Sequence, residues 1–455
     1  MTTSETQTAP AEARQREGEF DRRYQALHGV AAGYLPRRRG AVDEWHEELT
    51  RTIEDIGLDP KDWPPSVKAL DDLLKTDEPL RKLVNGMISD VPEEHQHGIK
   101  EIKDLLDRLA HIVTSPVAYN WDPAKRNFFP LSTLFVYMMF TEWGWDAFRD
   151  QEFNNALRKI LQAWYDFLNS EKSAEYLNDK LPDGWLSQPA YEQLKLYEFD
   201  ITPTPSSFNA FFHRQIKREQ FRPVSGPTDP QVIVSSNDGT VVRWAQVTQA
   251  SDEYYLKGQP YSLTDMLTDP SDPDWKPGDY VQRFVGGHVY QSFLSGADYH
   301  RWWTPIAGTV VEAPRVIPGL MFSELRSAGM DPSAGTQSQC YQASVNTRGL
   351  LLVESDFRLD DGRRMLVGFL PIGITEISSV AFLDAAGKPI TKGQRLAKGE
   401  EIGRFSYGGS SVCLIFSKGV IKQFDTPPNN SGDMDAGPPI FAGMRIATTN
   451  HLTGP

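Results

Sequence analysis

The feature that most constrains the fold is a change in residue pattern close to residue 200. Before it, apolar residues recur every three or four positions, which is the spacing of an amphipathic helix. After it, short runs rich in Val, Ile, Tyr and Phe are separated by Gly, Pro, Asp and Asn, which is typical of strands joined by turns. Because helices and strands are segregated along the chain, we predict an α+β protein with a helical N-terminal domain followed by a mainly antiparallel β domain.

The helical half carries apolar stripes that we interpret as the core-facing sides of helices. They comprise Val42, Trp45, Leu49, Ile53 and Ile56; Leu105, Leu106, Leu109, Ile112 and Val113; and Phe153, Leu157, Ile160, Leu161, Trp164 and Leu168. The most apolar run, residues 128–140, is too short to span a bilayer and predicts a buried helix. We place a disordered tail at residues 1–25, the helical domain at 26–200 and the β domain at 201–455.

The acidic composition narrows the range of partners. The 455 residues carry a formal net charge of −14, which argues against nucleic acid and against stable insertion into a membrane. The two cysteines, Cys340 and Cys413, cannot form a disulfide framework and fit a reducing cytoplasm, where we place the protein. His95 and His97 come nearest to a metal-ligand spacing, but no second cluster in the sequence completes a site, so we predict no metal.

Three stretches of the β half carry residues that can do chemistry. Residues 406–416, Ser-Tyr-Gly-Gly-Ser-Ser-Val-Cys-Leu-Ile-Phe, place Ser410 at the start of a predicted buried strand, where two glycines permit a tight backbone. Asp238 lies in an Asn-Asp-Gly sequence, which predicts a turn. His300 lies in Asp-Tyr-His-Arg-Trp-Trp-Thr-Pro, residues 298–305. It is either a catalytic group or a core histidine among large aromatic residues. Each stretch alone is also compatible with an ordinary turn or core.

In this order, the three stretches resemble the phosphatidylserine decarboxylase family of pyruvoyl-dependent decarboxylases. The resemblance extends to residues 207–224, which include Phe-Phe-His-Arg and Arg-Pro, to Pro-Gly-Leu-Met-Phe-Ser-Glu-Leu at 318–325, and to Lys-Gly-Glu-Glu-Ile-Gly-Arg-Phe, which begins at 398. The helical half is similar to the N-terminal extension of the family's soluble branch, which includes the fungal L-tryptophan decarboxylases. The expected fold is therefore helical first, then a β catalytic domain of the phosphatidylserine decarboxylase type.

The resemblance implies a self-generated cofactor. Ser410 would attack the carbonyl of Gly409, the chain would be cleaved between residues 409 and 410, and Ser410 would become a pyruvoyl group. This group would form a Schiff base with the amine of the substrate and accept electrons as CO2 leaves. Ser411 would help to hold the turn. The implied substrate is an amino acid, L-tryptophan or another aromatic one, and many relatives self-associate.

One position departs from the family motif, Tyr-His-Arg-x-His-x-Pro. In the family the first histidine is associated with decarboxylation and the second, oriented by the aspartate of the Asp-Gly turn, is the base of self-cleavage. Here the first is His300, but Trp303 replaces the second, and an indole has no basic nitrogen.

Three alternatives remain open for the base. His300 serves both steps, oriented by Asp238; or His288 or His213 supplies the base; or the chain is a non-cleaving pseudoenzyme that binds a partner. Trp303, with His288 and Ser411, would line a substrate pocket suited to a small or aromatic amino acid. Phosphatidylserine is the alternative substrate, and the acidic charge argues against it.

Overall fold

The computed structural model describes residues 39–454 apart from residues 121, 123, 124, 126, 248, 251–260, 326–329, 331–337, 378, 428 and 430–436. The predicted tail at residues 1–25 lies outside the described residues. Within them, no helix is both long enough and apolar enough to cross a membrane.

Helices occupy most of the first half of the described chain. They are α1 (Arg39–Ile56), α2 (Pro65–Thr76), α3 (Glu78–Ser89), α4 (Glu93–Gln96), α5 (Ile102–Ile112), α6 (Pro130–Met139), α7 (Glu142–Ala147), α8 (Gln151–Leu168) and α9 (Gln188–Gln193). Side chains of Asp77, Thr141 and Asp150 accept hydrogen bonds from the first turns of α3, α7 and α8, which caps them. The three predicted stripes fall on α1, on α5 and the residue after it, and on α8, so the helical prediction is confirmed.

Strands are the main regular secondary structure of the second half. They are β1 (Phe199–Asp200), β2 (Gln215–Ile216), β3 (Val232–Val234), β4 (Gly239–Gln246), β5 (His288–Leu294), β6 (Arg301–Trp303), β7 (Gly308–Val310), β8 (Arg315–Ile317), β9 (Arg348–Leu359), β10 (Arg364–Thr375), β11 (Val380–Ala381), β12 (Arg395–Leu396), β13 (Glu401–Phe405), β14 (Gly409–Phe416), β15 (Ile421–Phe424), β16 (Pro439–Ile440), β17 (Arg445–Thr449) and β18 (Leu452–Thr453). Short helices lie between them: α10 (Phe208–Phe212), α11 (Arg218–Phe221), α12 (Leu263–Leu267), α13 (Gly278–Phe284) and α14 (Gln339–Val345).

The main sheet has ten strands, and its order is β12-β7-β9-β10-β14-β5-β4-β16, with β8 and β18 also paired to β9. The pairings of the named strands are antiparallel, so the predicted α+β class is confirmed. The Asn-Asp-Gly turn joins β3 to β4, yet these strands belong to different sheets, so the turn is not a hairpin.

Strand β14 lies inside this sheet and is buried along its whole length. Its side chains alternate between two apolar clusters: Cys413 and Ile415 belong to the cluster that includes the helical half, and Val412 and Leu414 belong to the other. Because successive side chains of a strand point to opposite faces, Ser410 and Ser411 also face opposite ways.

The helical half packs directly onto the sheet. Helix α6 is buried, as predicted for the apolar run 128–140, and it shares one apolar cluster with β14. A Cβ placed on Gly409 would lie 3.0 Å from the ring of Phe129, which immediately precedes α6. The helical half therefore forms one wall around the start of β14, and the domain boundary near residue 200 stays a prediction.

Candidate active site

Ser410 lies near the start of β14, as the sequence predicted for a serine that enters a buried strand. It is paired with Leu294 of β5 and Gly373 of β10 and has no exposed surface. Strands on both sides fix its backbone, so the direction of its hydroxyl is set by the sheet.

His300 is the histidine that contacts Ser410. Its Nε2 lies 2.8 Å from the carbonyl oxygen of Ser295, which can only accept, so Nε2 carries the proton. The Nδ1 lone pair then faces the Ser410 hydroxyl, 3.2 Å from Oγ. The ring of Phe212 packs against the imidazole at 4.2 Å between centroids. The geometry is that of a serine with a base oriented by a third group.

Burial determines the protonation state of His300. The side chain is fully buried, and desolvation lowers its pKa to about 3, with repulsion from Arg214 and His213 acting in the same direction. The imidazole is therefore neutral at physiological pH and able to accept a proton. It is also a weak base, so rapid proton transfer from a serine would depend on the close and fixed geometry.

Two glycines shape the backbone before Ser410. Gly408 has φ +146°, and a Cβ there would lie 2.7 Å from backbone atoms of Thr375 and Glu376. A Cβ on Gly409 would lie 2.7 Å from Cγ2 of Thr375. Side chains are excluded at both positions, which explains the Gly-Gly sequence at the predicted cleavage site.

Ser411 is held on the other face of β14. Its Oγ donates to the carbonyl oxygen of Ser292 at 2.8 Å and accepts from Nε2 of Gln291 at 2.8 Å. The Gln291 side chain in turn accepts from the hydroxyl of Tyr261. Ser411 thus ties β14 to β5, whereas its expected roles in holding the turn and in lining the substrate pocket stay predictions.

Asp238 does not orient His300, contrary to one of the alternatives. Its carboxylate accepts from the Arg222 guanidinium, with Nη2 to Oδ2 at 2.6 Å, and from the Ala442 amide at 2.8 Å. Both ring nitrogens of His300 have the other partners described above. A different carboxylate supports the histidine: Asp298 accepts from the Ser295 amide at 2.7 Å and so fixes the residue whose carbonyl binds Nε2.

Trp303 is buried in a small apolar cluster with Phe199, Ile216, Tyr299 and Ala442. The Arg218 guanidinium lies over its ring at 4.3 Å. Its neighbour Trp302 packs in the other direction, against Phe405. These contacts give Trp303 a packing role, and its predicted role in lining the substrate pocket is not tested by them.

The structure does not bring His288 to Ser410. His288 is the first residue of β5 and pairs with Phe416, whereas Ser410 pairs with Leu294 at the other end of the strand. Six residues of antiparallel strand span about 20 Å, so His288 is too far away to be the base or to line a pocket at Ser410.

His213 comes closer but has different partners. Its Nε2 lies 3.1 Å from the carbonyl oxygen of Phe405 and 3.3 Å from Oγ of Ser406. Desolvation lowers its pKa to about 3, so it is neutral. His213 therefore contacts the turn before Gly408, and of the three histidines that were candidates for the base, His300 is the one hydrogen-bonded to Ser410.

A second group of side chains around the start of β14 was missed by the sequence analysis. Thr375 pairs with Gly409, and Glu376 follows it at the end of β10. Glu324 interacts electrostatically with Glu376, and burial raises the pKa of Glu324 to about 8 and that of Glu376 well above its usual value. Gln339 and Gln342 belong to α14, which packs against β10 and β14. We call Glu324, Glu376, Thr375, Gln339 and Gln342 the carboxyl side of the site, and His300 with Ser295 and Asp298 the histidine side.

Several buried polar atoms of the carboxyl side have no hydrogen-bond partner among the residues that the structure describes. They are both oxygens of Glu324, Oε2 of Glu376, Oγ1 of Thr375 and the side-chain amides of Gln339 and Gln342. The other oxygen of Glu376 accepts from the Ser132 amide in the first turn of α6. Buried polar atoms without partners are uncommon and indicate a place where water or a ligand binds.

Two cavities are lined by other residues of the described chain. One of about 50 Å³ is lined by Asp238, Asp298 and Arg214, beside the loop that carries His300. The other, of about 510 Å³, lies in the helical half, and its wall includes Trp164, whose ring contacts Tyr407 at 5.4 Å. The second cavity thus approaches the turn that precedes Gly408.

Comparison with protein families defines the class. Residues 208–448 match the model of the family described as phosphatidylserine decarboxylase, and residues 64–194 match a second model of the same description. The chain therefore belongs to the phosphatidylserine decarboxylase family, which confirms the resemblance, and it is a decarboxylase.

Fungal decarboxylases are among its relatives. The chain is 33% identical over 311 residues to the decarboxylase iboD of Amanita muscaria, covering 63% of this chain and 83% of that protein. It is 27% identical over 329 residues to the L-tryptophan decarboxylase of Psilocybe cyanescens, covering 66% and 71%. The L-tryptophan decarboxylase of Psilocybe cubensis is 26% identical over 371 residues, covering 75% and 77%.

Proposed function

We propose that this protein is a pyruvoyl-dependent decarboxylase of an amino acid and makes its cofactor from Ser410. The observation that carries the proposal is the buried contact of 3.2 Å between Ser410 Oγ and Nδ1 of a neutral His300, directly after two glycines. The names of the fungal relatives support an amino acid, and L-tryptophan or another aromatic one is the first substrate to test.

Self-cleavage follows from this contact in balanced steps. Ser410 Oγ gives its proton to His300 and attacks the carbonyl carbon of Gly409. The C–N bond between the two residues breaks as the nitrogen takes the proton, and an ester remains. Loss of the α-proton of Ser410 breaks the Cβ–Oγ bond and releases Gly409 as a carboxylate. Addition of water and loss of ammonia then convert residue 410 to pyruvoyl.

The residues around Ser410 fit such a cofactor. Gly408 and Gly409 leave room for the backbone alone, and His300 is the neutral base beside the reacting oxygen. The pyruvoyl carbonyl supplies an electron sink for the bond that is broken as CO2 leaves. His300 is placed to carry a proton at this position. The unpaired polar atoms of the carboxyl side are available to hydrogen-bond the polar groups of a small substrate.

Asp238 and Trp303 have supporting roles in this proposal. Asp238 holds Arg222 and the Ala442 amide beside the cavity of about 50 Å³, so it acts as a positioning residue and not as the orienter of the base. Trp303, without a basic nitrogen, leaves His300 as the base for both steps.

The intact mass of the purified, denatured protein tests the proposal. We expect two chains, residues 1–409 and residues 410–455 with an N-terminal pyruvoyl group. Ser410→Ala should give one uncut chain, whereas Ser411→Ala, the matched control on the same strand, should still be cut. A wild-type chain that stays intact through long incubation would contradict the proposal and favour a non-cleaving pseudoenzyme.

The substrate is identified by measuring CO2 release by the cleaved protein. We expect release from L-tryptophan or another aromatic amino acid, and none from phosphatidylserine vesicles. Release from the vesicles alone would instead assign the alternative substrate of the family.

A further inference from the structure

Three potential metal ligands meet in the helical half, far along the chain from Ser410. Asp43 belongs to α1, and His95 and His97 lie at the end of α4 and directly after it. Asp43 Oδ1 lies 2.9 Å from Nε2 of His97 and 3.7 Å from Nδ1 of His95, and the three ligand atoms all lie within 4.8 Å of one another. We call these three residues the Asp43 cluster.

The spacing suits a small divalent ion. Zinc is bound by histidine nitrogens and carboxylate oxygens at roughly 2.0–2.2 Å in a tetrahedron, which places ligand atoms about 3.3 Å apart. The distances from Asp43 Oδ1 to His97 and to His95, 2.9 and 3.7 Å, lie on either side of that value, and binding of an ion would draw the two imidazoles closer together from their separation within 4.8 Å. Two imidazoles and one carboxylate favour zinc over magnesium or calcium, which prefer oxygen ligands alone.

Surrounding contacts hold the ligands in place. The Tyr137 hydroxyl donates to Asp43 Oδ1 at 3.0 Å, and its ring stacks on His95 at 4.4 Å. The carbonyl oxygen of His97 accepts from the Thr50 hydroxyl at 2.8 Å and from Arg108. His97 itself has φ +45°, an uncommon conformation for a residue other than glycine. The turn is thus fastened to α1 and α5 independently of any ion.

A further imidazole beside the cluster has a nitrogen without a partner. His46 is one helical turn from Asp43, is 2% exposed, and stacks on His97 with centroids 5.0 Å apart. Its Nε2 lies 3.0 Å from the Thr133 carbonyl and must donate, so Nδ1 carries a lone pair, which has no partner among the described residues. Buried lone pairs of this kind are uncommon without a ligand or water nearby.

The electrostatic surroundings permit a dication. Asp43 retains 28% of its side-chain exposure, which leaves a path for an ion. The Arg108 guanidinium contacts the His97 carbonyl, and the carboxylates of Asp104, Asp107 and Glu54 act on it. Its charge is therefore opposed by neighbours on its own side.

We propose that Asp43, His95 and His97 bind one divalent transition-metal ion, zinc by their chemistry, with a fourth position for water. The ion joins α1 to the turn after α4 and so stabilises the helical half. This site is independent of the decarboxylase proposal, and the sequence prediction of no metal is the alternative that the experiment decides.

The test is zinc binding to tag-free, chelator-treated protein, measured by equilibrium dialysis with metal analysis. We expect one equivalent of zinc in the wild type and in Ser410→Ala, and no comparable binding of magnesium. Asp43→Asn, His95→Gln and His97→Gln should each weaken zinc binding by more than 100-fold. Tyr137→Phe, which removes only an outer contact, should weaken it about 10- to 100-fold. His451→Gln, an exposed histidine outside the cluster, is the control and should bind normally.

Thermal unfolding supplies a second readout in case a variant does not fold. Zinc at a hundred times its dissociation constant should raise the melting temperature of the wild type, because a ligand that binds only the folded state stabilises it, and it should not raise that of His97→Gln. No bound zinc in the wild type, or unchanged binding in the folded cluster variants, would overturn the proposal.

Discussion

The histidine side and the carboxyl side of the site differ in how their polar atoms are satisfied. On the histidine side, both nitrogens of His300 have partners, and Ser295 is itself fixed by Asp298. On the carboxyl side, Glu324, Thr375 and the two glutamines hold buried atoms without partners in the described chain. A closed set of contacts is what an intramolecular reaction requires, whereas an open set requires something that enters from outside.

The two sides are suited to different steps of the reaction. We infer that the histidine side serves self-cleavage, which needs no external molecule until the ester has formed. We infer that the carboxyl side receives the substrate, whose polar groups would satisfy the open atoms. Variants on the two sides should therefore separate cleavage from decarboxylation.

The largest effect is expected for His300→Ala. Removal of a positioned general base costs about 10²- to 10⁴-fold in rate, so we expect self-cleavage to slow by that factor. The rate is measured by the appearance of the 410–455 fragment in freshly translated protein, and added imidazole should restore part of it.

His213→Ala is the matched control, because His213 is also buried and neutral but contacts Ser406. We expect its cleavage to stay within a fewfold of wild type. If His213→Ala slowed cleavage more than His300→Ala, the assignment of the base to the histidine side would be wrong.

The next effect concerns Glu324→Gln. Glutamine has the shape of the protonated acid, so self-cleavage should be nearly unchanged, while kcat/KM for the amino acid should fall by about tenfold, the value of one hydrogen bond. Single-turnover cleavage and steady-state CO2 release measure the two. Equal losses in both would show that the two sides do not act separately.

The raised pKa of Glu324 predicts that the stability of the protein depends on pH. The pKa of Glu324 is raised by burial to about 8 in the folded state, from an ordinary value near 4.5. Between these values the folded state binds the extra proton, so the free energy of unfolding falls as pH rises, by up to about 1.4 kcal/mol per pH unit. Urea unfolding should show wild type and Glu324→Gln equal near pH 4 and the variant more stable at pH 8. A difference that did not widen with pH would contradict the buried, protonated state of Glu324.

Sequence patterns predicted the histidine side better than the carboxyl side, for a physical reason. Gly-Gly before an apolar run indicated a constrained backbone at Ser410, and the resemblance to the family implied its role. The contact of the Ser295 carbonyl with His300 was not predicted, since every residue has a backbone carbonyl. Glu376 lies in Gly-Ile-Thr-Glu-Ile, where a charged residue inside an apolar run could have indicated a buried acid. Glu324, some fifty residues earlier, is brought to it only by the fold.

Distance along the chain also explains the other differences. Asp238 was expected, in one alternative, to orient His300, but the fold places Arg222 and Ala442, from distant parts of the chain, at its carboxylate instead. His288 is close to His300 in sequence, yet it lies at the end of strand β5 that is far from Ser410. Spacing in sequence predicts neighbours along one element and says little about neighbours across strands.

The smallest effect is expected for Trp303→Phe, which tests whether Trp303 belongs to either side. Its contacts are with Tyr299, the small apolar cluster and the Arg218 guanidinium. The loss of part of a buried ring and of a cation–π contact should cost about 1–3 kcal/mol in the free energy of unfolding, with cleavage within about threefold of wild type. A double-mutant cycle with Arg218→Met should give a coupling near 1 kcal/mol. A change in cleavage of more than tenfold would mean that Trp303 acts on the Gly409–Ser410 bond, and the histidine side would then have to include it.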